Sequence, residues 1–568
     1  MFSQSNFAKG FLALSAAACS ACAGSHVQPD AIQAPQAFYT VTGEIALERH
    51  QPRVAALQYT SAAASDKDPA LLARAVEVTT ESLQPSLTAA VASRWISLDP
   101  ESIEAHRAAA RAALALFRIP QAAEQYRIVL ASSPRGEAEE FAALDTELES
   151  GDDPFGARQL ADRLAADFST SLPVLRLQGF AALRADDPKA AARDFGSALA
   201  LIAQDPAAHQ DPRVQRELTQ GLWRARILAG DPEEPLTDAQ ALMQREPTAE
   251  NRLNYALLLY AAQRNEAAVA QLEALAHDPD AAAVALRLLA LIEFQEGRLD
   301  AAGRHFTELL TMGKFVDDSS YYLGLIADRR GDFERALRLY AEVQGGDNAV
   351  PALLRAASIL HTHGADPEAQ QLLDRLIEDE PQRAPEILAT RARIYADSNA
   401  QKQAMEVLDR AARDYPDSVQ IRYAIASLYE EQGRVDAALR ELKQVLQQRP
   451  DDPAALNAYG YTLADHDREL ARARAMIERA YASAPKNPAI LDSLGWVLFR
   501  QGHAEQALPY LKDAFADDRS GDIGAHLGEV LWGLGRHADA EHIWSAAQEA
   551  DPDDPLLAAT RRRLHAAQ

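Results

Sequence analysis

A chain of 568 residues that is 48% hydrophobic but only 7% aromatic draws much of its apolar share from alanine, and so favours helix packed closely on helix over sheet architectures. Its net charge of −26 excludes a phosphate-backbone binder, which needs clustered Lys and Arg, and reads as solubilising charge on a long exposed surface. The two cysteines, Cys19 and Cys22, lie at the front, so everything beyond them lacks a thiol for disulfide, zinc or redox chemistry.

The first segment, residues 1–18, pairs a sparse positive charge at Lys9 with the short apolar run from Gly10 to Ala18. That run is too short to span a bilayer and has the form of a signal peptide. Ala16-Ala17-Ala18-Cys19 resembles a bacterial lipobox, in which the cysteine becomes the acylated N-terminus; Cys22 is the second candidate, and a plain secretory cleavage is the alternative. Neither cysteine is followed by Asp, the residue that resembles an inner-membrane retention signal, so the resemblance implies an outer-membrane lipoprotein facing the periplasm. Residues 19–35 are polar towards Pro35 and read as a flexible tether.

From residue 36 a repeat begins. Ala110, Ala122, Tyr126 and Pro134 mark one early unit, and Gly179, Ala191 and Phe195 another. The stretch 135–168 matches weakly, and residues 36–201 form an N-terminal array. Residues 202–248 carry Pro206, Pro212, Pro232, Pro235 and Pro247. Helix interiors tolerate proline badly, which predicts a distorted repeat there and a bend between two halves.

Residues 249–553 repeat most clearly. Ala404, Ala438, Ala473, Ala507 and Ala540 recur at intervals of 34, 35, 34 and 33 residues, and Ala392, Ala426, Gly460, Gly495 and Gly528 keep the same beat. Pro381, Pro416, Pro450, Pro485 and Pro552 close units. A period near 34 with small residues at the eighth, twentieth and twenty-seventh places is similar to the tetratricopeptide repeat, a pair of antiparallel helices. The resemblance implies an all-α solenoid of about fifteen hairpins, each burying its apolar face on its neighbours. Residues 554–568, with Arg561, Arg562 and Arg563, read as a solvating C-terminal capping helix.

Chemistry-bearing motifs are missing from the sequence. It contains no HExxH, phosphate loop, GxGxxG or GxSxG, and no CxxC beyond the leader. His361 and His363 stand two apart, and His537 and His542 five apart, spacings that do not clasp one metal on a helix. We therefore expect no enzyme activity, no cofactor and no metal. What the repeat offers is a groove lined by the fifth, ninth and twelfth residues of the first helices. These are Tyr423, Ser427 and Glu430, then Asn457, Tyr461 and Ala464, then Asp492, Trp496 and Phe499, then Ala525, Glu529 and Trp532. Tyr461, Trp496, Phe499 and Trp532 form an aromatic strip interleaved with Asn457, Asp492 and Glu529. The rings either anchor a protein partner or pack into the superhelix.

The segments Asn457–Asp465, Ile490–Trp496 and His526–Gly535, with Gly43–Leu47 near the front, resemble proteobacterial outer-membrane tetratricopeptide lipoproteins. Members of that group partner a periplasmic carboxyl-terminal processing protease. The resemblance implies a non-catalytic adaptor that docks and activates the protease and gathers its substrates, including peptidoglycan hydrolases. It would touch the membrane through its N-terminal lipid alone. A structural scaffold for a secretion, pilus or outer-membrane assembly is the alternative.

Overall fold

The computed structural model describes residues 36–149, 151, 153–169, 171–204, 211–550 and 554–566. Cys19, Cys22, the signal segment and the tether all lie outside the described residues. Thirty-one α-helices and no strand occur among the described residues. They run from α1 (Gln36–Glu48) and α2 (Pro52–Ser65) to α29 (Gly521–Gly533), α30 (His537–Ala550) and α31 (Pro555–His565), numbered in chain order. Helices α1 to α30 pair as fifteen hairpins, and α31 packs on α29 and α30 at the end. The chain is an all-α tetratricopeptide-repeat solenoid with a final capping helix.

Local chemistry sets each hairpin. Prolines open helices at positions whose N–H has no intrahelical partner, as at Pro69, Pro453 and Pro488. Asp452 and Asn487 cap the helices that follow them through their side-chain oxygens. The turn between paired helices needs one left-handed residue, and this backbone signature keeps the period. It falls at Gly331, Gly364, Asn399, Gly433, Asp467, Gly502 and Gly535. At Gly502 (φ +84°) glycine takes this conformation without strain, whereas Asp467 (φ +53°) tolerates it through a short polar side chain.

The small eighth residue has a physical partner sixteen or seventeen places later, on the second helix. A Cβ built on Gly495 would sit 2.5 Å from Leu511 Cγ, and one on Gly528 only 1.9 Å from Trp544 Nε1. The same close approach recurs at Gly179 against Phe195 and Gly324 against Tyr340. Cores accordingly lie between helices in a chain of clusters, the most extensive running from Ala426 to Leu557.

In the proline-rich stretch the prolines sit at helix beginnings and loops. Pro212 opens α11 (Pro212–Leu228), Pro232 is the N-cap of α12 (Glu233–Arg245), and Pro235 lies in the first turn of α12. Pro206 falls outside the described residues. The weakly matching stretch also folds as helices, α7 (Glu137–Glu149) and α8 (Pro154–Asp167).

Successive turns of the solenoid meet along a seam. Gln84 Nε2 donates to the Asp414 carbonyl at 2.7 Å, and Ser86 donates to Asp417 through both its N–H and its hydroxyl. Further along, Arg449 lies 3.7 Å from Asp153 and stacks over Phe117, and Lys486 donates to the Leu228 carbonyl. A cavity of about 600 Å³ opens at this seam, between Val76, Leu83 and Ala108 on one turn and Pro385 and Tyr415 on the next.

Candidate functional site

The residues expected to line the groove lie on α25 (Pro453–Asp465), α27 (Pro488–Arg500) and α29. The structure divides the expected aromatic strip into two packed groups. Trp496 and Asp492 are buried, at 4% and 5% exposure, while Tyr461, Phe499, Trp532, Asn457 and Glu529 are half-buried. Trp496 and Asp492 therefore offer no free contact surface in this conformation.

The first group is organised by His526, which sequence reasoning did not single out as a groove residue. Its Nδ1 lies 2.9 and 3.0 Å from the two carboxylate oxygens of Asp492, one unit earlier. Both residues are buried. Trp496 stacks on the imidazole with ring centres 4.1 Å apart, and the Tyr461 ring lies 6.0 Å away. Trp496 Nε1 donates to Asp465 Oδ1 at 3.1 Å, and the Arg500 guanidinium sits over the indole while donating to the Asp465 carbonyl at 2.9 Å. Phe499 packs against Trp496 at 5.5 Å. Asn457 Nδ2 reaches the Ala489 carbonyl only at 3.5 Å, and Asn457 Oδ1 has no partner.

Electrostatics follow from that burial. Burial raises the Asp492 pKa against the opposing pull of His526. For His526 burial disfavours the charged ring, but the Asp492 carboxylate, helped by Asp465 and Asp522, outweighs it and the pKa is raised. A buried His–Asp pair is costly to split, because either partner alone would be an uncompensated charge.

The second group surrounds Trp532. His537 stacks on it at 4.2 Å, Trp544 lies 5.4 Å away, and His565 of the capping helix lies 5.3 Å away. Glu529 pairs with Arg563 of the cap at 2.5 Å. The cap is thus tied to the last first-helix through two residues expected to face the groove. On the preceding unit Tyr423 is half-buried, Ser427 is exposed, and burial raises the Glu430 carboxyl.

The signal that would have revealed His526 is its separation of 34 from Asp492. An acid and a base one period apart stand on adjacent first helices and can meet between them. Among the described residues no group of three His, Cys, Asp or Glu is placed to hold a metal ion, and no helix is long and apolar enough to cross a membrane.

Tetratricopeptide-repeat profiles match residues 253–318, 329–394, 396–460 and 498–564. The TPR repeat-containing protein PA4667 of Pseudomonas aeruginosa is 34% identical over 214 residues, 38% of this chain. That match spans 36% of the relative's length. Among solved structures, TTC0263, a thermophilic TPR protein of Thermus thermophilus, is 21% identical, covering 32% of this chain and 98% of that one at a TM-score of 0.29. The APC/C hetero-tetramer Cut9-Hcn1 is 13% identical, covering 94% of this chain and 96% of that one at a TM-score of 0.30. The repeats indicate a protein-binding scaffold, and no catalytic family is indicated.

Proposed function

We propose that this chain is a lipid-anchored scaffold of the bacterial periplasm, held to the outer membrane through Cys19 or Cys22. It acts as the non-catalytic adaptor of a carboxyl-terminal processing protease, activating it and delivering substrates such as peptidoglycan hydrolases. One observation carries the reading. The segments resembling the adaptor lipoproteins, Asn457–Asp465, Ile490–Trp496 and His526–Gly535, fall on or run just past α25, α27 and α29. Aromatic, acidic and histidine side chains there tie adjacent first helices together. Solenoids of this kind present such helices on a curved binding face. Tyr461, Phe499 and Trp532, all half-buried, keep ring surface to touch a partner, and aromatic anchors of that type dominate protein interfaces.

Affinity capture with the mature chain from envelope extract tests this. We expect a processing protease and cell-wall hydrolases to be recovered together. Recovery of neither, from an extract that contains the protease, sinks the adaptor reading. The alternative, an assembly scaffold for a secretion, pilus or outer-membrane system, would instead recover components of that system, and its gene would sit among theirs.

A further inference from the structure

The seam joins two turns of the solenoid without filling the space between them. Where it passes α5 (Ile103–Ala115) it leaves the cavity of about 600 Å³, far above the water-sized voids that packed interiors keep. The groups that join the turns stand at its wall. Gln84, which donates to the Asp414 carbonyl at 2.7 Å, and Asp417, which accepts from the Ser86 hydroxyl at 2.9 Å, both line it. The space is therefore held open by the contacts that close the seam.

Its shape follows from α5. The lining residues on that helix are 104, 107, 108, 111, 112 and 115, a single helical stripe. At the helical rise per residue, the stripe makes a trough roughly 17 Å long. Spread over that length, the volume leaves a bore roughly 7 Å wide, too narrow for a second helix of about 10 Å diameter. One extended chain fits.

The chemistry of the wall selects the chain. Ala108 and Ala112 of α5, with Val76 and Leu83, face Pro385 and Tyr415 of the next turn. The polar side chains among them are spent on protein partners: Arg107 on Glu140 at 2.7 Å, Arg111 on Glu147 at 2.9 Å, and Thr88 on Thr79 at 3.0 Å. An extended peptide would bring backbone N–H and C=O groups to walls whose own donors and acceptors are taken, and unmade hydrogen bonds are costly. A hydrocarbon chain brings none, and gains by leaving water. Both arginines are neutralised and Glu104 stands exposed at the same rim, so a carboxylate head finds no cation to meet it. We infer that the seam cavity is a binding site for one acyl chain with an uncharged or ester-linked head.

Calorimetric titration of the chain from Ser20 onward, carrying Cys22→Ser, with dodecyl maltoside below its micelle-forming concentration tests this. We expect saturable binding of one molecule per chain and a melting midpoint that rises with ligand. Thr80→Phe places a ring in the trough from an exposed position, and Ala112→Phe fills it from the buried floor. Each is expected to weaken binding by roughly tenfold or more, Thr80→Phe with unchanged helicity and unliganded melting. No binding, several molecules per chain, or an affinity that Thr80→Phe leaves intact overturns the inference. So does tighter binding of an uncharged alanine–valine pentapeptide, which would make the trough a peptide groove, or of laurate, which would place a charged head at the rim. Mass spectrometry of the full chain purified from envelope separates two sources of the acyl chain. A lipid lost in organic solvent assigns the cavity to a separate lipid. An N-terminally acylated chain that refuses the added probe assigns it to the chain's own acyl group, an outcome that rests on the lipid anchor proposed above.

Discussion

At the scale of single residues, the buried Asp492–His526 pair gives the C-terminal units a pH dependence whose sign is fixed. Both groups have folded-state pKa values above their ordinary ones, so the folded chain binds protons more tightly than the unfolded chain. The His526 contribution is fully present below its ordinary value of about 6.5 and is lost as pH rises through the raised folded value; Asp492 works in the same direction from a lower starting point. Thermal melting is therefore expected to show the last repeats weakening as pH rises from 6.5, and His526→Gln should flatten that slope. A midpoint that climbs with pH over this interval contradicts the assignment. The facing groups Asp465, Asp522 and Tyr461 modulate the slope and do not reverse it. This pair was not legible in the groove register, because His526 stands one residue off the expected positions and Asp492 turns inward to meet it.

Among elements, the helix pairs were almost wholly legible in the sequence. Small residues at a fixed place face bulky ones sixteen or seventeen later, and glycines or short polar residues recur at left-handed turns. Both leave a periodic trace. The proline-rich stretch was harder to read, because prolines at helix beginnings and prolines that break helices look alike until the boundaries are known. The close approach at Gly528 yields a matched test. Gly528→Ala places a methyl group against the Trp544 indole and is expected to destabilise by about 1–3 kcal/mol through overpacking. Gly303→Ala on α16 (Leu299–Thr311) meets nothing nearer than 3.8 Å and should stabilise by roughly 0.5–1 kcal/mol through reduced backbone entropy. Urea unfolding of both variants checks the contrast, and equal effects would mean that the register is misplaced.

For the molecule as a whole, the seam is the feature that the repeat pattern concealed. Gln84 and Asp414, or Asp153 and Arg449, stand roughly nine to ten periods of 34 residues apart, and nothing in a local beat announces that they touch. Arg449→Ala removes both the approach to Asp153 and the stacking over Phe117. Combined with Ser86→Ala and Lys486→Ala, it is expected to loosen the seam, enlarging the radius of gyration in X-ray scattering while leaving helical content intact. Unchanged dimensions would show that packing along the stack alone holds the shape.

That lateral contact changes how disturbance travels. In a free linear stack, melting one unit is felt by its immediate neighbours and fades with distance. Here the second through sixth hairpins touch the region from the eleventh to the thirteenth. The network of contacts is therefore looped, and a partner prying open the front would be sensed far downstream without the intervening helices having to yield.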